Sequence, residues 1–574
     1  MSASSVYDSF RLAESESGPD RPDFCMAEKN VIDINDTNGQ NYAGGQITFD
    51  LNQLVSSESF LDWASSYITI PVQFSITGDG TQNPAGDVAN LFSMCFKGSN
   101  YSLINSVNLT CSNVQLVGNT QMSNIPIAYK LLTSFDSTDV DVRGASIGFQ
   151  KDASRTFTYQ NATGEANNYV GTGGFGTGTP AAIVAGSVTL ANASGSQNVG
   201  MFRRCVKQSV SAADPNVTNF VTAAGGLTSS RVNMSYTTPA SDPLATANAV
   251  VMQLWVQIKM EFLHDIFKKM PLCRGVLWQL VISTHLPTTY TSTVTIPNTP
   301  NWTAQPTPAS TAAVQSLNQF CPFMVSTVGN GAGLNGTLGT NNATGTFTYN
   351  AKIGWGTNTT TTMHCVTYKM SPAAATRYMS NPRKTVMFED FIRSSPSSFV
   401  TGIAAGGQAN VNISPGQTKV RGLLIAPYLS GNTTGNGNTG YMSALQSPLT
   451  SCGATVSPYA FIDQFNVMLG GRPIFPKNIA YRYDNFLREQ FGINAPNGNG
   501  IWSNTSGLFD VDDFNAGYGY IYVNLERHLA ATDDISVAVD LMFTNSSART
   551  MSYNVFLFFE KEMEIDISNG KVRV

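Results

Sequence analysis

The sequence predicts an all-β fold: two tandem jelly-roll β-sandwiches, a double jelly roll, with short helices in the connections and long tower loops. Three observations predict it. Nearly every apolar segment has a period of two, a set of segments recurs in the same order about 350–360 residues later, and helical patterns are few and short.

The segments "QITFDLNQL", "SYITIPVQFSIT", "VVMQLWVQIKM", "VLWQLVIST", "HCVTYKM", "KTVMFEDFI", "VRGLLIAPYL", "GYIYVNL", "ISVAVDLMF" and "YNVFLFFEKEMEIDI" are rich in β-branched and aromatic residues, and Gly, Pro, Asn or Ser clusters bound most of them. That is the pattern of strands with one face in a core. Within "WQLVIST" we expect Val281 to point into that core. Helical patterns are confined to 125–135, 260–270, 373–380 and 483–492, which places helices in connections only.

The repeat opens with "AGGQITFDL" at 43–51 and "AGGQANVNI" at 405–413. "SYITIPVQFS" (66–75) is followed in the second half by "RGLLIAPYLS" (421–430). "SNVQLVG" (112–118) and the helix at 125–135 correspond to "QFNVMLGG" (464–471) and the helix at 483–492. Three strands then close each half, at 253–260, 276–284 and 363–370, and at 519–525, 535–543 and 553–561. A solenoid repeats every 20–50 residues, so a period this long means two copies of one complete domain. About eight antiparallel strands with long loops fit a jelly roll; an immunoglobulin-like sandwich would be nearer roughly 100 residues.

The expected organisation is an N-terminal arm at 1–45, a first jelly roll at 46–372, a connector at 373–383 and a second jelly roll at 384–574. The Gly/Thr/Asn-rich stretches at about 156–200 and 286–360 are expected to be surface excursions on a rigid scaffold. Two sandwiches in one chain make a pseudo-twofold unit, and three chains in a ring would set six similar sandwiches in a pseudo-hexagon through heterologous contacts that close.

Composition limits function. Of 574 residues 42% are hydrophobic and only 12% charged, against roughly 25% in an average domain. Neutral polar residues fill the gap, which suits a surface that meets many neighbours, and equally an extracellular β-rich protein. The net charge is −5 with no basic run, so we expect no specific nucleic-acid partner. The first thirty residues lack an apolar signal core, and no run approaches the roughly 18 apolar residues of a membrane span. The eight cysteines (25, 95, 111, 205, 273, 321, 365, 452) are scattered without a C-x-x-C pair, which reads as free thiols in a reducing compartment.

No catalytic, cofactor-binding or metal-ligating residue is assigned. His264-Asp265 has no G-x-S-x-G elbow beside it, and His264 reads as a helix-surface or packing residue. His364 and Cys365 are adjacent on a strand, so they point to opposite faces and cannot share a metal. Asp510, Asp512 and Asp513, and Asp533 with Asp534, could offer oxygens to calcium, but Asp510 before "VDDF" reads better as a helix N-cap. "DINDTNGQN" fails as an EF-hand loop, with Asn38 where glycine is needed and Gly44 where glutamate is needed. No phosphate-binding G-x-x-x-x-G-K-[ST] occurs. The sequons at Asn108 and Asn504 carry little weight in so Ser/Thr/Asn-rich a chain.

The stretches "IKMEFLHDIFKKMPLCRGVLWQLVIST" (258–284), "RYMSNPRKTVMFEDFI" (377–392), "GQTKVRGLLIAPYL" (416–429), "AYRYDNFLREQFGIN" (480–494) and "GYGYIYVNLERHLAATDDISVAVDLMFTNSSARTMSYNVFLFFEKE" (517–562) resemble the double jelly-roll major capsid proteins of virophages, polinton-like viruses and related eukaryotic DNA viruses. The resemblance covers most of the chain from 250 onward and the strands at 46–75. It implies a structural protein without enzymatic residues or cofactors: a homotrimer contacting neighbouring capsomers, penton and other minor capsid proteins, in a virion capsid assembled in the host cytoplasm or nucleus. The rival reading is a two-domain β-sandwich adhesin or lectin, a fibre or spike. A signal peptide or a cluster of exposed tryptophans would favour it, and the six tryptophans (63, 255, 278, 302, 355, 502) are spread out.

Overall fold

The structure is a computed structural model. It describes most of residues 25–151, 249–296, 320–327, 343–394, 402–429, 460–491 and 508–573, with short pieces between.

Eight strands frame the first half: β1 (Met26–Asn35), β2 (Gln46–Asp50), β3 (Phe60–Gly78), β4 (Ile104–Cys111), β5 (Val114–Val117), β6 (Ala249–Lys259), β7 (Trp278–Thr284) and β8 (Thr362–Met370). They form one antiparallel sheet in the order β1-β8-β3-β6 and another in the order β2-β7-β4-β5. Eight more frame the second half: β9 (Arg383–Ser394), β10 (Gln408–Ile413), β11 (Val420–Leu429), β12 (Ile462–Leu469), β13 (Arg472–Pro473), β14 (Ile521–Asn524), β15 (Val539–Asn545) and β16 (Met551–Asp566). Their orders are β9-β16-β11-β14 and β10-β15-β12-β13. Counted from the start of each half, both read 1-8-3-6 and 2-7-4-5. This is jelly-roll topology, and the chain contains it twice. Ala343–Ile353 adds a strand beside β3, and Thr288–Ile296 pairs with that strand in turn.

Alternation explains the sandwich. Ile68, Ile70, Val72 and Phe74 of β3 are fully buried, as are Leu280 and Ile282 of β7. Trp63 meets Trp278 edge-on at 5.3 Å across the gap. Each such side chain contributes about 1.5–3 kcal/mol by leaving water.

The repeated "AGGQ" closes the same corner in each sandwich. Each copy contains one glycine in the left-handed region, Gly45 at φ +66° and Gly406 at φ +75°. The carbonyl of Gly45 accepts from the Thr284 N–H at 2.6 Å, and that of Gly407 from the Asn545 N–H at 2.9 Å. Thr284 and Asn545 are the last residues of β7 and β15. A side chain on Gly45 would place its Cβ 2.3 Å from the Leu286 carbonyl oxygen, so only glycine fits this bend.

Two expectations need correction. The arm was expected to reach residue 45, but Met26–Asn35 is β1, paired with β8 from Met26↔Met370 to Asn35↔Thr362. It is an edge strand in which only Ile34 is buried, and its charged sequence hid the alternation. Val281 does not face the core. Along β7, Trp278, Leu280 and Ile282 are buried, while Gln279 is exposed and Val281 half-buried. The run is apolar at both parities, and the inward set is one residue away.

The two halves share one continuous apolar core. Between them the chain passes through the helix Pro372–Met379. In β16 every residue from Met551 to Phe559 is buried, so both faces of that strand are covered. One cover is β10, β12 and β15. The other comes from the first half.

Candidate functional site

The best-defined polar constellation among the described residues is the junction between the sandwiches. It is built by α1 (Asn124–Ser134), α2 (Met260–Leu263) and α3 (Asp265–Lys269) of the first half, and by α5 (Tyr483–Phe491), α6 (Val511–Ala516), β9, β14 and β16 of the second. A further helix, α4 (Pro372–Met379), joins β8 to β9.

α1 carries Pro126 in its first turn, where a missing N–H costs nothing, and is buried along most of its length. The Tyr129 ring stacks on Tyr522 at 5.7 Å and meets Tyr520 edge-on at 5.3 Å, and its hydroxyl donates to Gln490. Lys130 pairs with Glu389 at 2.7 Å and lies over the Phe558 ring at 5.3 Å. The Leu508 N–H donates to the Leu132 carbonyl at 2.9 Å, Thr120 Oγ1 to Phe391 O at 3.2 Å and Lys561 Nζ to Leu116 O at 2.8 Å. Lys151 forms an ion pair with Asp513, whose side chain is 3% exposed.

The pattern at 260–270 is two short helices, not one. His264 between them is extended (φ −159°, ψ 146°), and its Nδ1 accepts from the Ile266 N–H at 3.3 Å, capping α3. That bond leaves the proton on Nε2, which faces Asp390 Oδ1 at 3.2 Å. Asp265 Oδ2 accepts from the Glu389 N–H at 2.9 Å and pairs with Lys269 at 2.8 Å. Residues 264 and 265 thus grip β9 of the other sandwich, and His264, expected on a helix surface or in packing, acts with Asp265 as a clasp between domains. Burial would raise the Asp265 carboxyl, but the Lys130 charge, the Glu389 N–H and Lys269 together hold it below its ordinary value. Burial works to lower Lys130, and Glu389 and Asp265 outweigh it, leaving that ammonium raised. Burial pushes the Tyr129, Tyr481 and Tyr522 hydroxyls well up, so they stay neutral.

A cleft of about 240 Å³ remains in the junction, edged by Lys130, Glu261, His264, Asp265, Lys268 and Glu389. Two lysines and three carboxylates edge it, of which Lys130 and Glu389 pair directly.

The other candidates lie apart. His364 is on the outward face of β8, with Nδ1 2.6 Å from Asp33 Oδ1, Nε2 3.0 Å from Thr69 Oγ1, and its ring stacked on Tyr67 at 4.5 Å. Cys365 points inward and is fully buried. Asp510 Oδ1 accepts from the Asp513 N–H at 2.6 Å and caps α6. The Asp512 side chain, Asp533, Asp534, Asn504, Cys205 and Cys452 fall outside the described residues. Asn108 accepts from Gln115 Nε2 at 3.2 Å on β4. Burial raises the thiols of Cys111 and Cys365 to about 12 and pushes Cys273 and Cys321 up as well. Among the described residues no three His, Cys, Asp or Glu side chains gather as a metal site, and no helix is long and apolar enough to cross a membrane.

No protein-family model and no curated protein sequence matches the chain. Among solved structures it is similar to the protein in a cryo-EM structure of the Sputnik virophage, at 12% identity and a TM-score of 0.47, covering 97% of this chain and 91% of that one. It is similar to the mavirus major capsid protein at 9% identity and a TM-score of 0.42, covering 97% and 92%. It is also similar to the Faustovirus major capsid protein at 10% identity and a TM-score of 0.37, covering 95% and 92%.

Proposed function

We propose that this chain is a viral major capsid protein that stands as a trimeric, pseudo-hexameric capsomer in an icosahedral shell. The observation that carries this reading is the duplication: two sandwiches of identical strand order fused side by side through a continuous apolar core. One chain therefore supplies two near-equivalent corners, and three chains supply six. The first sandwich begins at β1, α4 is the connector, and the second begins at β9. A chain with only 12% charged residues suits dense contact with neighbouring capsomers, penton and minor capsid proteins. Buried, high-pKa thiols fit assembly in the reducing host cytoplasm or nucleus. Negative-stain microscopy with light scattering tests the reading. Particles of hexagonal outline and three times the 61.5 kDa chain mass are expected; elongated monomers at every concentration and salt would overturn it.

A further inference from the structure

Equivalent faces of the two sandwiches are treated unequally within one chain. In the second sandwich the outer face of the β9-β16-β11-β14 sheet holds Phe391, Phe558, Leu424 and Tyr522. Phe391, Phe558 and Tyr522 meet groups of the first half there: Phe391 the His264 ring, Phe558 the Lys130 ammonium and Tyr522 the Tyr129 ring. In the first sandwich register places Asp33, His364, Thr69 and Gln257 at the matching positions: Asp33↔His364 and His364↔Tyr67 answer Phe391↔Phe558 and Phe558↔Gly422, and Gln257↔Thr69 answers Leu424↔Tyr522. These outward residues are exposed or half-buried, with Asp33 at 63% and Val31 at 52% exposure. α1 and α5 also occupy equivalent places, each between the fifth and sixth strands of its half. α1 is used on nearly every side. α5 buries Phe486, Glu489 and Gln490 and leaves Arg488 and Asp484 at 67% and 63% exposure.

We infer that the outer face around Val31, Asp33, Tyr67, Thr69 and His364 is the docking surface for the second sandwich of another copy of this chain, with α5 lying on it. The within-chain junction is a heterologous contact: helix of one sandwich against outer sheet of the next. Repeated from the second sandwich of one copy to the first of another at a sixth of a turn per step, that contact closes a ring of six. Within the chain, α1 brings Lys130 to Glu389 of β9; on β1 Val31 takes the place of Glu389, with Asp33 two residues on paired to His364, while α5 holds out the Arg488–Asp484 pair. The more polar sheet face fits a contact that forms after each chain has folded, since it must also tolerate water.

This inference rests on the capsomer reading, and the experiment separates the two. Sedimentation of the wild type and of a Val31→Arg, Thr69→Arg double variant is compared across concentration, with circular dichroism as the check on folding. In parallel, a benzophenone amino acid replaces Thr69 in an otherwise wild-type chain. Mixed isotopically labelled and unlabelled copies then identify cross-links between copies. A wild-type trimer, a variant whose trimer dissociates at least 100-fold more readily, and cross-links landing on 483–491 of another copy are the expected results. A trimeric wild type with cross-links elsewhere, or a folded variant that trimerises equally well, would overturn the docking surface and leave the capsomer. A monomeric wild type would overturn both, and that failure is read without any variant. If the variant does not fold, the cross-linking arm alone decides.

Discussion

Leu280→Ala and Val281→Ala put the sandwich register to a quantitative test. Leu280 is fully buried on β7, paired with Phe49 and Leu109 on its two sides; Val281 is half-buried, between Thr48 and Asn108. Removing three carbons from Leu280 leaves a cavity in a close-packed layer, at a cost of about 3–4 kcal/mol. Truncating Val281 removes a side chain already in partial contact with water, at a cost of about 1 kcal/mol or less. With roughly 2–4 °C of Tm per kcal/mol in a unit of this size, Leu280→Ala should melt about 6–16 °C below the wild type, and Val281→Ala within about 4 °C of it. Differential scanning fluorimetry of the three proteins at one scan rate and one concentration measures the gap. A charge sharpens the contrast: Ile282→Asp should abolish soluble protein by burying a lone carboxylate, whereas Val281→Asp should still yield it. Equal melting losses at 280 and 281, or a soluble Ile282→Asp, would mean that β7 presents its other face to the core and that the sandwich register is wrong.

Lys151→Met removes the ion-pair partner of the nearly buried Asp513 carboxylate and should cost about 3 kcal/mol, whereas Arg383→Met, at an exposed pair with Glu564, should cost next to nothing; urea unfolding of both variants gives the comparison. Asp265 has its folded pKa depressed, so its contribution to stability is complete above the unfolded value of about 4 and disappears as pH falls through the folded one. The Asp265→Asn variant should therefore show a flatter acid limb than wild type in urea midpoints measured from pH 6 downward. Cys111, Cys273, Cys321 and Cys365 should resist a thiol reagent at pH 8 in the native protein and react in denaturant, because burial keeps them as thiols; prompt native labelling at Cys111 or Cys365 would contradict their placement.

Strands with one wet face announced themselves by alternation, and the closing trios of the two halves could be matched from it. β16 was legible for the opposite reason: "NVFLFF" is apolar at both parities, as a strand covered twice must be. That same redundancy misled at "VLWQLVIST", where apolar residues at both parities left the inward set undecided. β1 escaped because an edge strand needs few inward apolar residues, and "EKNVIDIN" supplies two. The junction was the least legible part. Lys151 and Asp513 are 362 positions apart and His264 and Asp390 are 126 apart. No local pattern links such partners; only the packing of one sandwich on the other selects them. The break at His264 has no glycine or proline to mark it, because a histidine cap and a carboxylate on another domain produce it.

The double cover of β16 imposes an order on biosynthesis. Its buried stretch, Met551–Phe559, leaves the ribosome after the other seven framing strands of its sandwich, and it lies in a sheet whose outer face carries Lys130 and Tyr129 of α1, made more than four hundred residues earlier. β16 also bridges β9 and β11, so that sheet has no centre until β16 itself has been made. Domains generally fold as units in the order in which they emerge, so the first sandwich can present a finished wall while the second is still incomplete. Contacts this distant in sequence form slowly, and through that interval "NVFLFF" is an exposed apolar strand whose proper partners are already waiting on its own chain.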